Sequence, residues 1–505
     1  MLAVTAAQMR AIDAAAVARD GEVALMRAAG DAIALLIDRY AQGEGPIVAI
    51  AGEGNNGGDA YAALAAYGGT RRRIVYGNAA AGGSAARQDA RWRARIAGVE
   101  ERPLPPAPVV LREAALILDG VLGVNARLPL DERSGGLVDA MRESGAPVLA
   151  LDVPTGIDPT TGAVDSEHAF SAVATIALGR PKLGCFLDPA RDRAGALWCA
   201  TIGMRDADAG DVDQPRSEVL DPVGFAALMP VRPPDADKRS SGAPLIVAGS
   251  TQFPGAAVLA AWGAARAGAG YVTVAAPEGA AAALRAHLVE QVVVTYDERD
   301  PAGAVRTILD LTGRSNAIAI GPGLGLSDAF GEIVNGVLAG SAVPVVADAS
   351  ALYHLSKRLD AYRDKPLVIT PHAGEFARLS GKGTIAPGER LARLRAFVDD
   401  HGIVTLLKGR TTLVAGRDVT HVNPTGSNAL ATAGTGDVLT GAIATLLAQG
   451  LSPIDAARIG AYWHGRAGSV ALAHRHRGVI ARDVAEALGE ASLVTAGEEP
   501  VLLSP

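Results

Sequence analysis

Ala433-Gly434-Thr435-Gly436-Asp437-Val438-Leu439-Thr440-Gly441 is the stretch on which the reading of this chain turns. Small residues come first, then one carboxylate, then an apolar run with helical spacing. That is a glycine loop opening into a helix. Free N–H groups at a helix start attract anions, and the helix dipole adds to the attraction. Glycine lets a phosphate approach the backbone closely. Asp437 would then stand beside the phosphate, its carboxylate free to take a proton from a hydroxyl that attacks phosphorus. Asp is also a common cap residue, so the stretch by itself fits a plain helix cap as well.

The rest of the chain bounds the answer. Its 505 residues predict two or more domains. Hydrophobic residues make up 49% but aromatics only 4%, so Ala, Val and Leu must fill the cores. The net charge of −7 and the lack of a long basic run argue against a nucleic-acid partner. Arg71-Arg72-Arg73 precedes a strand and reads as a solvated edge. Cys185 and Cys199 cannot build a disulfide framework; they read as small buried residues of a reducing compartment. No signal-peptide pattern and no bilayer-length apolar run is present, so a cytoplasmic protein with no membrane partner is expected.

Upstream of the glycine loop, apolar strands alternate with helical stretches. Leu245–Ser250, Tyr271–Ala276, Val292–Tyr296, Ala317–Ile320, Val343–Ala347, Leu367–Thr370 and Val404–Leu407 read as buried parallel strands. Their exits carry Gly321-Pro322-Gly323-Leu324-Gly325, Pro371-His372-Ala373-Gly374-Glu375 and Lys408-Gly409-Arg410-Thr411-Thr412. Lys408 would meet a phosphate as a point charge, with Thr411 and Thr412 as further donors. His372 would either hydrogen-bond a ligand or cap the helix carrying Glu375. No GxxxxGK[ST] occurs, which excludes a P-loop NTPase, and no His/Cys metal cluster is visible.

The first half repeats this grammar. Thr5 caps a helix over Ala6–Ala18, and a second helix runs Glu22–Tyr40. Pro46–Gly52 is a buried strand ending in Gly52-Glu53-Gly54-Asn55-Asn56-Gly57-Gly58-Asp59. Strand, glycine-rich turn and helix is the nucleotide-binding pattern of doubly wound sheets, although the spacing is not GxGxxG. The strands Leu116–Gly120 and Pro147–Asp152 each carry an aspartate near the end, Asp119 and Asp152. Oxygens of Asn56, Asp119 and Thr155 could serve a hard cation. Strands Ala174–Leu178 and Ala196–Ile202 close this domain, and Gly203–Asp237 reads as linker and domain entry.

With these pieces in place, the second half resembles the ribokinase-like fold, whose anion hole is matched by Gly434-Thr435-Gly436-Asp437. Within that fold it is similar to the NAD(P)H-hydrate dehydratases, through Ala248-Gly249-Ser250 with Gly255-Ala256, the Gly321–Gly325 run, Thr370–Glu375 and Lys408-Gly409. The first half resembles the NAD(P)H-hydrate epimerases, through Gly54–Asp59 and Leu151-Asp152-Val153-Pro154-Thr155-Gly156. The expected architecture is α/β, with two three-layer α/β/α domains: a Rossmann-like domain over 1–212 and a ribokinase-like domain over 213–505.

The resemblance implies repair of hydrated NADH and NADPH. The epimerase interconverts the R and S hydrates. The dehydratase phosphorylates the ring hydroxyl of the S form and eliminates phosphate. The fused, Ala/Gly/Arg-rich chain suggests a bacterial member using ADP rather than ATP. Asn55, Asn56, Gly57, Gly58, Asp59, Gly123, Val124, Asn125, Ala126, Arg127, Leu128, Pro129 and Asp152 would hold the hydrate in the epimerase. Asp152 is also the candidate for proton transfer there. Asn56, Asp119 and Thr155 would bind potassium. In the dehydratase, Ala256, Gly323, His372 and Asp437 would contact the hydrate. Lys408, Gly409, Arg410, Thr411, Thr412, Gly434 and Gly436 would hold the nucleotide, magnesium would assist, and Asp437 would be the base. A homo-oligomer is expected. Thr155 stands where the family more often has Ser, and Ser350 where Asp is frequent. The rival reading is a ribokinase-like kinase of a vitamin or sugar alcohol fused to a nucleotide-binding module.

Overall fold

The computed structural model describes every residue except 79–81, 106–107, 213–214, 495–499 and 505. The chain forms two compact units, Met1–Asp221 with Ala496–Pro505, and Pro222–Thr495. The boundary expected between 212 and 213 therefore lies at Asp221/Pro222. Hydrogen bonds explain the shift. The Ala3 N–H donates to the Ser217 carbonyl at 3.0 Å and the Val219 N–H to the Met1 carbonyl at 2.9 Å, tying this stretch to the first unit.

In the first unit, seven parallel strands lie in the order Ala196–Ala200, Ala174–Leu178, Val148–Leu151, Leu116–Gly120, Ile47–Ala51, Arg73–Gly77, Glu100–Pro103. Val501–Ser504 adds an antiparallel strand beside Ala196–Ala200, so the domain does not close where the sequence reading ended it. Side chains alternate along each strand. Ile47, Ala49 and Ala51 face one core with Ile33, Leu36 and Ile37 of the helix Glu22–Tyr40. Val48 and Ile50 face another with Leu137, Val138 and Met141 of the helix Glu132–Ser144. The sheet is thus the middle of three layers. Strand order reverses between Ile47–Ala51 and Leu116–Gly120, the place where such sheets open a crevice for ligands.

In the second unit the parallel order is Val292–Tyr296, Thr273–Pro277, Pro244–Val247, Ala317–Ile320, Val345–Ala347, Leu367–Ile369, Val404–Leu407. An antiparallel pair, Leu413–Ala415 and Val419–Val422, follows at the Val404–Leu407 side. Here the order reverses between Pro244–Val247 and Ala317–Ile320. Two helices, Pro254–Arg266 and Thr435–Ala448, cross beside that point. Their backbones touch at glycines. A Cβ on Gly441 would fall 1.9 Å from the Ala260 carbonyl oxygen, and one on Gly263 would fall 2.3 Å from that of Val438. This close approach fixes where the second helix begins.

Candidate functional sites

At the switch point of the first unit lies a cavity of about 380 Å³. Asn55, Asn56, Asp59, Gly123, Val124, Asn125, Ala126 and Asp152, all expected to hold the hydrate, line it. Gly57 and Gly58 lie buried behind this wall, where a Cβ on Gly57 would sit 2.1 Å from the Gly52 carbonyl oxygen. Arg127, Leu128 and Pro129 lie outside the lining. Their loop is drawn aside because the Leu130 N–H donates to the Asp165 carboxylate at 2.8 Å.

Asp152 follows its strand with a left-handed backbone, φ 68°. Its carboxylate accepts the N–H groups of Leu178 and Val124, each at 3.2 Å, and the Lys182 ammonium. Lys182 is 1% exposed and also donates to the Leu178 carbonyl at 2.8 Å. The sequence reading missed this lysine, although Gly179-Arg180-Pro181-Lys182 at a strand exit is a visible signal. It also missed Asp13, which reaches the cavity from the first helix.

Asp119 is wholly buried. It accepts from the Thr155 hydroxyl and N–H, both at 2.8 Å, and from the Val121 N–H at 3.2 Å. Burial pushes its carboxyl up to about 6, against those hydrogen bonds. The Thr155 hydroxyl accepts the Leu122 N–H at 3.1 Å, and Asn56 Nδ2 donates to the Leu122 carbonyl at 2.8 Å. The three oxygen residues read as cation ligands are therefore gathered around one turn. Asn56 Oδ1 is buried there with no hydrogen-bond partner among the described residues.

In the second unit the glycine loop turns at Gly434, φ 89°, and the helix Thr435–Ala448 begins without a side-chain cap. Asp437 does not cap it, and among the described residues its carboxyl finds no hydrogen-bond partner. Burial, reinforced by the charge of Asp348 and opposed by Lys408, raises the Asp437 carboxyl to about 7. Asp348 is 2% exposed; it accepts from Lys408 Nζ and from the Thr440 hydroxyl, both at 2.8 Å. A Cβ on Gly436 would come 3.5 Å from Lys408 Nζ, so the glycine backbone and the lysine share one small space.

Behind that space, Arg390 holds the Lys408–Thr412 turn, donating to the carbonyls of Thr411 at 3.0 Å, Lys408 at 3.1 Å and Leu407 at 3.3 Å. Gly409 and Arg410 are exposed, Thr411 is buried, and the Thr412 hydroxyl donates to the Gly409 carbonyl at 3.3 Å. Ala256 and Gly323 are neighbours, with 2.8 Å between Ala256 Cβ and a Cβ built on Gly323. His372 is the helix cap: its Nδ1 accepts from Gly374 at 3.0 Å and Glu375 at 3.3 Å, and its Nε2 lies 3.5 Å from the Glu375 carboxylate. Ser350 accepts the Gly325 N–H at 3.1 Å. Asp348, Thr440 and Arg390 were not read as site residues; Asp348 lies 60 residues from Lys408 and 92 from Thr440.

Two largely parallel sheets, each with a lysine gripping a buried aspartate at the carboxyl edge, define a two-unit α/β enzyme. Comparison with known proteins narrows this. The family described as NAD(P)H-hydrate dehydratase matches residues 244–490, and the family described as YjeF-related protein N-terminus matches residues 22–184. The chain is 33% identical to a bifunctional NAD(P)H-hydrate repair enzyme of Moorella thermoacetica, over 97% of this chain and 96% of that one. It is 35% identical to the enzyme of that name from Pyrobaculum aerophilum, over 92% of each. It therefore belongs to the family of bifunctional NAD(P)H-hydrate repair enzymes. Among solved structures, the ADP/ATP-dependent NAD(P)H-hydrate dehydratase of Bacillus subtilis, co-crystallised with ATP and Mg2+, is 31% identical. It covers 54% of this chain and 95% of its own, with a TM-score of 0.48.

Proposed function

We propose that the chain restores hydrated NADH and NADPH, epimerising the R and S hydrates in the first unit and dehydrating the S hydrate in the second. ADP is the proposed phosphoryl donor, giving AMP and phosphate. The observation that carries this reading is Asp437: an unpartnered carboxyl, raised to about 7, at an uncapped glycine-led helix start beside Lys408. A base with such a pKa accepts a proton near neutral pH and returns it readily. Backbone N–H groups of the Gly434–Asp437 turn would hold the moving phosphoryl group, and Lys408 would balance its charge. Asp437 would take the proton of the ring hydroxyl. Ala256, Gly323 and His372 would face the hydrate, and the Lys408–Thr412 turn the nucleotide.

Magnesium would arrive on the nucleotide's phosphates, which supply most of its oxygens. This suits a unit in which, among the described residues, no group of three His, Cys, Asp or Glu could hold a metal. In the first unit a potassium ion suits the oxygens of Asn56, Asp119 and Thr155, because Asn56 Oδ1 is buried and, among the described residues, lacks a partner. When bound it would neutralise Asp119 and fix the Leu122 turn that walls the cavity.

The test uses acid-hydrated NADH, the protein, magnesium and ADP, followed by the return of near-ultraviolet absorbance. Full recovery is expected, in a fast phase for the S hydrate and a slower one for the R hydrate. A stable phosphorylated alcohol with no recovery would favour a small-molecule kinase.

A further inference from the structure

The cavity of the first unit holds more ionisable groups than binding needs. Asp13, Glu22, Glu53, Asp59, Asp152 and Lys182 all line it. They come from separate elements: Asp13 from the helix Ala6–Asp20, Asp59 from the helix Asn55–Ala66, Asp152 and Lys182 from the exits of adjacent strands. Asp13 lies outside the segment that the family match covers, which begins at residue 22.

Their states differ. Asp152 accepts three donors, the arrangement of an ionised carboxylate. Among the described residues Asp13 and Asp59 accept none. Burial raises both; the charge of Asp152 adds to this and that of Lys182 opposes it. Asp59 is pushed well above its ordinary range, while Asp13 reaches about 6, where a proton is exchanged easily.

Resting on the epimerase reading of this unit, we propose that Asp13 is a catalytic residue: the proton donor that works with Asp152 in the cavity both of them line. The hydrate bears its hydroxyl on the carbon next to the ring nitrogen. Inversion there requires a bond to break and re-form. Asp13 gives its proton to the hydroxyl, the carbon–oxygen bond breaks, and water leaves with the bonding pair. The ring nitrogen's lone pair forms the carbon–nitrogen double bond. Water then adds from the opposite face and loses a proton to Asp152. In the reverse direction the two carboxyls exchange roles, and cavity water resets their protons. Lys182 is a positioning residue for Asp152.

The experiment is the two-phase recovery assay on the full chain, comparing wild type with Asp13→Asn and Asp13→Glu. In Asp13→Asn the fast phase should persist and the slow phase should fall about a hundredfold or more, toward the rate without protein. In Asp13→Glu much of the slow phase should return. In wild type the slow phase should weaken as pH rises through about 6, and Asp13→Asn should lose that dependence. A slow phase in Asp13→Asn within threefold of wild type, or an unchanged pH profile, overturns the role of Asp13 alone. A wild-type chain with no slow phase above the uncatalysed drift overturns the epimerase reading, and the role of Asp13 with it.

Discussion

The two carboxyl edges use the same device and differ in what surrounds it. In each, a parallel strand ends at an aspartate gripped by a lysine: Asp152 by Lys182, Asp348 by Lys408. In each the chain turns left-handed at that point, at Asp152 itself (φ 68°) and at Ala349 (φ 49°). Around Lys408–Asp348 stand a glycine-led helix start and one raised carboxyl, Asp437. Around Lys182–Asp152 stand a cavity and two raised carboxyls, Asp13 and Asp59. The ion pair therefore organises an edge without specifying its chemistry. The next group decides that: backbone N–H donors suit a phosphoryl group, and paired carboxyls suit proton exchange.

The strongest way to break this contrast is Asp437→Asn. If Asp437 is the base of the second unit, dehydration of the S hydrate should fall about a thousandfold, within the usual range for a general base. Adenine-nucleotide affinity by calorimetry should stay close to wild type, because the backbone donors and Lys408 remain. An active variant would reduce that edge to a binding site.

Substituting each lysine by methionine compares the pairs directly. Lys408→Met leaves Asp348, 2% exposed, with the Thr440 hydroxyl as its one side-chain donor among the described residues. Removing one partner of such a pair costs about 3–5 kcal/mol. Lys182→Met leaves Asp152 with two backbone N–H donors and a cavity that admits water. Its loss should be smaller, about 1–3 kcal/mol. Denaturant unfolding of the full chain should show the larger effect for Lys408→Met; equal losses would mean the two pairs are alike.

The pH profile of dehydration separates the edges next. Asp437 must be ionised to accept a proton. Its activity should be lost as pH falls through about 7 and level off above, whereas the slow epimerase phase should move the other way through about 6.

Much of this was legible in the sequence, and the failures share causes. Buried strands such as Arg73–Gly77, Leu116–Gly120 and Ala317–Ile320 announce themselves as apolar runs. Glu100–Pro103 does not, because it is an edge strand with charged, exposed residues. Leu413–Ala415 and Val419–Val422 are short and lie between polar turns, and Val501–Ser504 is separated from its partner by the whole second unit. The same holds at the sites. Gly434–Asp437 is compact, so its pattern survives in one dimension, as does the Asn55–Asp59 loop. Lys182 and Asp13 matter only through groups that folding brings to them, and no local spacing records that. Leaving Arg127, Leu128 and Pro129 out of the cavity depends on one hydrogen bond to Asp165, which nothing in the loop itself foretells.

The smallest predicted effect tests whether the second edge is kept at a cost in stability. Asp437 has a folded-state pKa of about 7 against an ordinary 3.8. Between those values the unfolded chain has released a proton that the folded unit still holds, so the carboxyl makes the unit less stable as pH rises. The penalty is absent below about 3.8 and complete above about 7. Asn cannot ionise and escapes it. Asp437→Asn should therefore raise the melting transition that ADP shifts, by about 2 kcal/mol at pH 8 after allowing for partial solvation. It should change that transition little at pH 4. A variant that loses activity while gaining stability, and gains it only in alkaline buffer, would identify Asp437 as a group retained for chemistry. Stabilisation equal at both pH values would instead point to simple packing of the amide.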